Sequence, residues 1–246
     1  MIEVINLSKY FEKKKVLDNI SVTFEKGVTN LVIGQSGSGK TVLLKCIVGL
    51  LKPDEGEVYF NDICFTKLDT KSKREVRKKI GMLFQGSALF DSLTVEENVR
   101  FPLDMFTEMS SEEKHERVNF CLNRVNLTNV NKLYPSELSG GMQKRVGIAR
   151  AIVLNPLYLF CDEPNSGLDP KTAMVIDTLI KEITEEYNIT TIINTHDMNS
   201  VMRLGTNIVF LYQGTVQWVG SKDEILKSEN QKLNEFVFAS TYIEKA

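Results

Sequence analysis

Residues 34–41 read Gly34-Gln35-Ser36-Gly37-Ser38-Gly39-Lys40-Thr41 and fit the pattern G-x-x-x-x-G-K-[ST]. Glycines in such a loop let successive backbone N–H groups turn towards phosphate oxygens, and the helix that follows adds its positive N-terminal end. The residues expected to surround a polyphosphate are Gly34, Ser36, Gly37, Ser38 and Gly39. In the same pattern the Lys40 amine reaches the β- and γ-phosphates, and the Thr41 hydroxyl binds Mg²⁺.

The loop lies between a predicted strand and a predicted helix, which is the context that a phosphate-binding loop requires. Residues 28–33 are mostly apolar and predict the strand, whereas residues 40–51 follow a helical pattern that Pro53 stops. The apolar run 157–161 is typical of a central parallel strand, and residues 190–194 predict another buried strand. Strands that alternate with helices indicate an α/β core with a parallel sheet.

Further elements follow from the same periodicities. The other predicted strands are 2–7, 16–24, 56–60, 80–84 and a hairpin of 208–212 and 215–219 around Gly214. Residues 170–187 predict a helix, and a basic run from Lys67 to Lys79 is interpreted as a solvated helix face. In the tail, Leu233, Phe236 and Val237 recur at helical spacing, and they pack either on the chain's own domain or on a partner.

Residues 86–155 differ from the rest of the chain because helical patterns replace strands there. Thr94 starts a capping-box pattern, and either Ser110 or Ser111 caps the next helix. Ser139 opens a third helix that is expected to reach about residue 154. We interpret this block as a helical subdomain inserted into the α/β core.

Two carboxylates, Asp162 and Glu163, follow the apolar run 157–161 directly. The carboxyl end of a parallel strand lies where such sheets bind ligands. Asp162 is expected to hold Mg²⁺, directly or through water, and Glu163 to polarise the water that attacks the γ-phosphate. Phosphoryl transfer requires little beyond a metal, aligned groups and a positioned nucleophile.

The composition is that of a soluble globular protein, with 42% hydrophobic and 25% charged residues. The formal net charge of -2 provides no global basic field, so a nucleic-acid partner is not expected. Neither a signal peptide nor a membrane span is predicted, and any membrane role is expected to come through a partner. Cys46 and Cys161 lie in apolar runs and are expected to be buried thiols, which suits the reducing cytoplasm.

The stretch Leu138-Ser139-Gly140-Gly141-Met142-Gln143-Lys144-Arg145 resembles the signature of ABC ATPases, usually Leu-Ser-Gly-Gly-Gln. Ser139 and the glycines after it would cap a helix and expose backbone donors, which makes a second anion site. The resemblance implies a head-to-tail dimer of two copies. Each ATP would then lie between the phosphate loop of one subunit and Ser139, Gly140 and Gly141 of the other.

The resemblance covers essentially the whole chain, so residues 1–246 are expected to form one ABC nucleotide-binding domain. It implies the ABC ATPase fold of P-loop NTPases, with a RecA-like parallel-sheet core, an antiparallel β subdomain and an inserted helical subdomain. The core would comprise residues 1–85 and 156–246, and the inserted subdomain about residues 86–155. Two residues depart from the family pattern: Met142 replaces the usual Gln, and Glu12 replaces a frequent Gly.

Other parts of the chain match ABC motifs in their order. Gln85 resembles the Q-loop glutamine, which touches Mg²⁺ and the attacking water, and His196 resembles the switch histidine that senses the γ-phosphate. Asp169 ends a Ser-Gly-Leu-Asp stretch similar to the D-loop, which would contact the opposite subunit. Phe11 lies where the family stacks an aromatic ring on adenine, with Tyr10 as the competing candidate.

The segment 81–99 and the Leu-Ser-Gly-Gly-Met signature are similar to ATPases of MCE-linked systems, the Mla-type ABC transporters of phospholipids or other hydrophobic compounds. In that segment Ala88, Leu89, Phe90 and Leu93 would form a groove for a coupling helix of a membrane permease. The alternative is that they belong to the core of the helical subdomain. MCE-domain and small regulatory subunits are further partners that the resemblance implies.

The resemblance therefore predicts an ATP-hydrolysing transporter subunit, cytoplasmic and peripheral on the inner face of the membrane through its permease. A polar amino-acid importer is the alternative within transport. A soluble ABC ATPase, such as an iron–sulfur cluster assembly factor, is the alternative outside it. A structural module that does not hydrolyse ATP is a third alternative, but Lys40, Glu163 and His196 are all present.

Overall fold

The structure is a computed structural model that describes residues 1–241. The strands in chain order are β1 (Ile2–Phe11), β2 (Lys14–Phe24), β3 (Thr29–Ile33), β4 (Glu55–Phe60), β5 (Ile63–Cys64), β6 (Ile80–Leu83), β7 (Tyr158–Asp162), β8 (Thr190–Thr195), β9 (Asn207–Tyr212) and β10 (Thr215–Gly220). The α-helices are α1 (Lys40–Ile47), α2 (Thr70–Arg77), α3 (Val95–Phe106), α4 (Ser111–Arg124), α5 (Gly140–Ile152), α6 (Pro170–Glu186), α7 (Met198–Leu204), α8 (Lys222–Ile225) and α9 (Gln231–Thr241).

The strands form two sheets. The larger sheet has the order β10-β9-β3-β8-β7-β6, in which all neighbours pair in parallel except the β9–β10 hairpin. The smaller sheet is antiparallel, with the order β2-β1-β4-β5. The predicted α/β core with a central parallel sheet is therefore confirmed, together with a separate antiparallel sheet.

The central strands are apolar on both faces because each face of the larger sheet covers a different core. Leu31 and Ile33 of β3 pack into the core formed with α3 to α7 and α9. Val32, which points to the opposite face, packs into a second core with α1 and the antiparallel sheet. Alternate residues of a strand point to opposite faces, so a strand covered on both sides has an uninterrupted apolar sequence.

Helix α1 ends at Ile47, four residues earlier than predicted. Gly49 follows the helix with φ 76°, and the Leu50 amide donates to the Lys45 carbonyl at 2.9 Å, which closes the last turn. A Cβ atom at Gly49 would lie 2.6 Å from the Phe65 ring. The end of the helix therefore depends on a glycine packed against a distant side chain, and the chain has already left the helix before Pro53.

The helices between β6 and β7 start where the capping patterns predict. Thr94 and Glu97 form a capping box at α3, and Ser110, not Ser111, is the cap of α4. Ser139 caps α5 by accepting a hydrogen bond from the Met142 amide at 3.3 Å. The division of the chain into a core and an inserted subdomain at about residues 86–155 remains a prediction.

The last described helix, α9, packs on its own domain. Leu233, Phe236 and Val237 of α9 are at most 5% exposed and belong to the same core as α7 and β9. Of the two alternatives predicted for these three residues, packing on their own domain is therefore confirmed. The short elements β5, α7 and α8 were not predicted, and the basic run lies largely on α2. Within residues 1–241, no helix combines the length and apolar content that crossing a membrane requires.

Candidate active site

The carboxyl ends of four parallel strands converge on one cleft of about 560 Å³. The 34–41 loop follows β3, Glu163 follows β7, and His196 follows β8. Gln85 lies two residues after β6. The lining residues are Val16, Gln35, Ser36, Gly37, Gly39, Lys40, Thr41, Val42, Gln85, Glu163, His196 and Phe236. The residues predicted for phosphate binding and hydrolysis thus meet at the edge of the sheet where open α/β folds bind ligands.

The loop after β3 has a backbone that its glycines make possible. Gly34 has φ 151°, and a Cβ atom there would lie 2.2 Å from the Leu211 carbonyl oxygen. Gly37 has φ 80°, and its Cβ position has no atom within 4 Å, so the loop is open on that side. Ser38 is 5% exposed, and its hydroxyl has no hydrogen-bond partner among the described residues. An open loop with an unsatisfied buried hydroxyl fits a polar ligand such as a phosphate.

Lys40 supplies a buried positive charge to the loop. Its Nζ donates to the Gly34 carbonyl at 2.8 Å and to the Gln35 carbonyl at 3.2 Å, and it lies 3.6 Å from Glu163 Oε1. Burial lowers the pKa of the Lys40 amine, and the Glu163 carboxylate opposes this shift by favouring the charged form. An anionic phosphate in the cleft would also favour the charged amine, because it would add a second negative partner.

Thr41 lines the cleft, and it contacts the buried carboxylate of Asp162. Thr41 Oγ1 donates to Asp162 Oδ1 at 3.0 Å, and Asn194 Nδ2 donates to the same oxygen at 3.1 Å. Asn194 Oδ1 is buried without a partner among the described residues. Hydroxyl, carboxylate and amide oxygens are hard ligands, so this donor set fits Mg²⁺. Asn194 was not predicted as a site residue. An asparagine at the end of an apolar run in the sequence is the signal that could have indicated it.

Glu163 and His196 form the second pair of the cleft. His196 Nδ1 lies 2.9 Å from Glu163 Oε2, and the Glu163 side chain is only 13% exposed. Glu163 has φ 49°, in the left-handed region that non-glycine residues rarely adopt. Strained backbone of this kind persists where surrounding contacts hold it, often at functional sites. With this backbone conformation, the carboxylate lies between Lys40 and His196.

Helix α5 holds the segment that carries Gln85. The Lys144 amine, which is 4% exposed, donates to the Gln85 carbonyl. Arg150 donates to the Ser87 carbonyl at 2.7 Å and to the Ala88 carbonyl at 2.8 Å. Burial lowers the pKa of the Lys144 amine. These contacts were not predicted, because the sequence does not indicate which distant carbonyl a basic residue on a helix contacts.

Other predicted site residues do not line the cleft of this single chain. Ser139 and Gly140 are exposed at the start of α5, and Asp169 caps α6 by accepting from the Thr172 amide at 3.1 Å. Gly141 lies against α6, since a Cβ atom there would be 2.4 Å from Thr172 Cγ2. Ser139, Gly140 and Asp169 form a second, exposed surface around the first turns of α5 and α6.

Phe11 is also outside the cleft and ends β1 with 44% of its surface exposed. Glu12 has φ 52°, in the left-handed region that favours glycine. Met142, the other departure, packs against the core that contains α5. It therefore contributes to the interior of the domain.

Comparisons with known proteins agree with this geometry. Residues 17–166 match the family described as ABC transporter. The chain belongs to the ABC transporter family. It is 38% identical to the methionine import ATP-binding protein MetN of Campylobacter jejuni, over 99% of this chain and 77% of that protein.

Two solved ABC structures share the fold. The ATP-binding cassette MJ0796, a dimer in a post-hydrolysis state with ADP and Pi, superposes with a TM-score of 0.83. It is 36% identical over 90% of this chain and 99% of its own. CbiO1 of Clostridium perfringens, part of the transporter complex CbiONQ, gives 0.85 at 28% identity over 100% and 98% of the two chains. The chain has the ABC ATPase fold and is an ATP-hydrolysing enzyme.

Replacement of Lys40 tests the phosphate loop. Lys40→Ala removes a buried charged donor, and we expect ATP affinity to fall about 10-fold to 100-fold, the equivalent of one charged hydrogen bond. The matched control is Lys45→Ala, which removes a partly exposed lysine from the last turn of the same helix. Equilibrium binding of ATP measures both. Equal affinities for Lys40→Ala and the unaltered protein would contradict the assignment.

Proposed function

We propose that the cleft hydrolyses Mg²⁺-bound ATP with Glu163 as the general base. The observation that carries this proposal is the position of the Glu163 carboxylate, 3.6 Å from Lys40 Nζ and 2.9 Å from His196 Nδ1. A carboxylate held between the phosphate-binding lysine and a second polar group can orient a water towards the γ-phosphate.

The other residues of the cleft take complementary roles in this proposal. The loop amides and Lys40 hold the phosphates, and His196 contacts the γ-phosphate while it fixes the Glu163 carboxylate. Thr41, Asp162 and Gln85 would hold Mg²⁺. When bound, Mg²⁺ would neutralise charge that develops on the phosphate oxygens. Phe11 or Tyr10 is the candidate contact for adenine.

Glu163→Gln should separate binding from hydrolysis. Glutamine keeps the size of the side chain but cannot accept the proton of the attacking water, so turnover should fall about 10²-fold to 10⁴-fold. ATP affinity should stay within about two-fold because the phosphate ligands are unchanged. Glu185→Gln, at an exposed glutamate of α6, is the control for loss of a carboxylate. Turnover near that of the control would exclude Glu163 as the base.

We also propose that two copies close head to tail on two ATP molecules. Ser139, Gly140 and Asp169 lie outside the cleft of their own chain, on an exposed surface with free backbone donors at a helix start. A second copy would bring that surface to the γ-phosphate side of the first. The dimeric state named for MJ0796 supports this arrangement.

Ser139→Arg should block the closed dimer. An arginine at this exposed cap adds bulk and positive charge where the second copy would approach, and the phosphate loop is untouched. ATP should therefore still bind, while ATP-driven dimerisation of the Glu163→Gln variant should be lost in size-exclusion chromatography. Thr128→Arg adds the same side chain at an exposed loop residue before α5 and serves as control. A normal dimer with Ser139→Arg would refute the head-to-tail arrangement.

A membrane permease is the proposed mechanical partner, and an apolar groove of about 430 Å³ is its proposed docking site. Phe90 and Phe101 line the groove at 43% and 40% exposure, with their ring centroids 4.9 Å apart. Ala88 lines the groove as well, whereas Leu89 packs against the core. Exposed aromatic side chains clustered in a groove are typical of a site for an apolar helix. CbiO1 is part of an ABC transporter complex, which supports a transporter partner for this chain.

Two cargo classes follow from different observations. Phospholipid or another hydrophobic compound is the first candidate, and it rests on the segment 81–99 and the Leu-Ser-Gly-Gly-Met signature. Import of an amino acid is the second, and the similarity to a methionine import ATP-binding protein favours it. MCE-domain and small regulatory subunits belong to the first candidate alone.

Affinity purification from mildly solubilised native membranes tests both proposals. A multispanning permease with an MCE-domain protein and bound phospholipid is expected for the first cargo class. A permease with an amino-acid-binding protein would favour the second class.

Phe101→Glu should release the permease, because it places a charge in the apolar groove. Phe120→Glu, at a 49% exposed phenylalanine of α4 outside the groove, should retain it. Recovery of soluble partners alone would refute the transport proposal.

A further inference from the structure

A buried polar network lies behind the cleft, and the chemistry proposed above does not use it. Asp177 of α6 is 1% exposed, and Ser200 of α7 is 2% exposed. Asn165 Nδ2 donates to Asp177 Oδ1 at 2.6 Å and to Ser200 Oγ at 2.9 Å. Ser200 Oγ in turn lies 2.9 Å from Asp177 Oδ2. Asn165, Asp177 and Ser200, called the Asp177 triad below, thus form a closed ring of contacts.

Charged groups border the Asp177 triad. Arg203 Nη1 lies 3.5 Å from Asp177 Oδ2, and Asp197 Oδ2 lies 3.0 Å from Ser200 Oγ. A serine hydroxyl has one proton, so Ser200 can donate to Asp177 or to Asp197 but not to both at once. Burial raises the pKa of the Asp177 carboxyl, while Asn165, Ser200 and Arg203 favour its charged form. A buried carboxylate is costly unless it is hydrogen-bonded, which makes loss of any partner consequential.

The triad connects the two loops that carry the proposed catalytic pair. Asn165 lies two residues after Glu163, in a turn where the Ser166 amide donates to the Glu163 carbonyl at 3.2 Å. Ser200 lies in the first turn of α7, which Asp197 caps directly after His196. The loop after β7 and the loop after β8 are therefore tied to the same carboxylate of α6.

We propose that Asp177, Asn165 and Ser200 are positioning residues for ATP hydrolysis, and that they fix Glu163 relative to His196. The inference rests on the roles proposed for those two residues. Glu163 has a left-handed backbone, and the chain just after it is held by the Ser166 amide bond to the Glu163 carbonyl and by the Asn165 side chain. A displacement of a catalytic group by about 1 Å can cost about 10²-fold in rate, so a rigid anchor behind the pair matters.

Ser200→Ala and Asn165→Ala test the proposal without removing the buried carboxylate. Each variant loses contacts to Asp177, and we expect the single-turnover rate of ATP hydrolysis to fall about 10-fold to 100-fold. ATP affinity should change by less than about three-fold, because neither residue touches the phosphate loop. The matched control is Thr178→Ala, which removes an exposed hydroxyl of α6 that donates to the Met174 carbonyl at 2.9 Å. It should hydrolyse ATP at the rate of the unaltered protein.

A double variant distinguishes a shared positioning role from general damage. If Asn165 and Ser200 act through one ring, the double alanine variant should lose no more rate than the more severe single variant, because coupled residues are not additive. Independent, multiplying losses would overturn the proposal. So would an equal fall in ATP affinity and rate, which indicates a merely destabilised domain, or rates within about two-fold of Thr178→Ala.

Glu163→Gln in the same assay separates the role of Glu163 as the base from the positioning role of the Asp177 triad. If Glu163→Gln abolishes hydrolysis while Ser200→Ala and Asn165→Ala do not slow it, the positioning role is wrong and the base assignment stands. If Glu163→Gln leaves hydrolysis intact, the proposed base is wrong, and the positioning proposal falls with it.

Discussion

The parallel pairing of β3, β8 and β7 is the constraint on which the active site depends. In this register Asn194 of β8 lies opposite Val32 of β3 and Asp162 of β7, so one residue connects both neighbouring strands. A shift by one residue would turn Asn194 to the other face of the sheet and remove its hydrogen bond to Asp162. The apolar core on each face resists such a shift, because every other strand residue would change faces with it.

The loops at the edge of this sheet are held by buried amines. Lys40 donates to carbonyls of its own loop, and Lys144 donates to the carbonyl of Gln85. These contacts replace the backbone hydrogen bonds that irregular segments lack. The two lysines have different roles. In the proposed ATP-bound state, Lys40 would exchange a carbonyl for a phosphate oxygen. Lys144 connects α5, which Ser139 caps, to the loop that carries Gln85.

The fold separates the groups for chemistry from the surfaces for assembly. Lys40, Glu163 and His196 share one cleft, whereas Ser139 lies on the exposed start of α5 and Phe101 in the apolar groove. Helix α5 runs between these regions, since Ser139 caps its start and Arg150 near its end holds the groove residue Ala88. In the proposed transporter, this helix is the direct physical link from the second copy to the permease.

The sequence was sufficient to predict a feature wherever the residues that produce it lie close together in the chain. The phosphate loop, the carboxylates after β7 and the caps Thr94 and Ser139 each depend on residues a few positions apart, and the sequence alone determined them. The α/β class followed from apolar runs alternating with helical patterns, because sheet burial imposes that pattern.

Only the tertiary structure decided the contacts between distant residues. The end of α1 depends on Gly49 packing against Phe65, and the location of the tail depends on the core that covers Phe236. The bond of Asn194 to Asp162 and the Asp177 triad join residues that are 12 to 35 positions apart. No periodicity encodes such pairs, because their distances are determined by how strands and helices pack and not by their spacing along the chain.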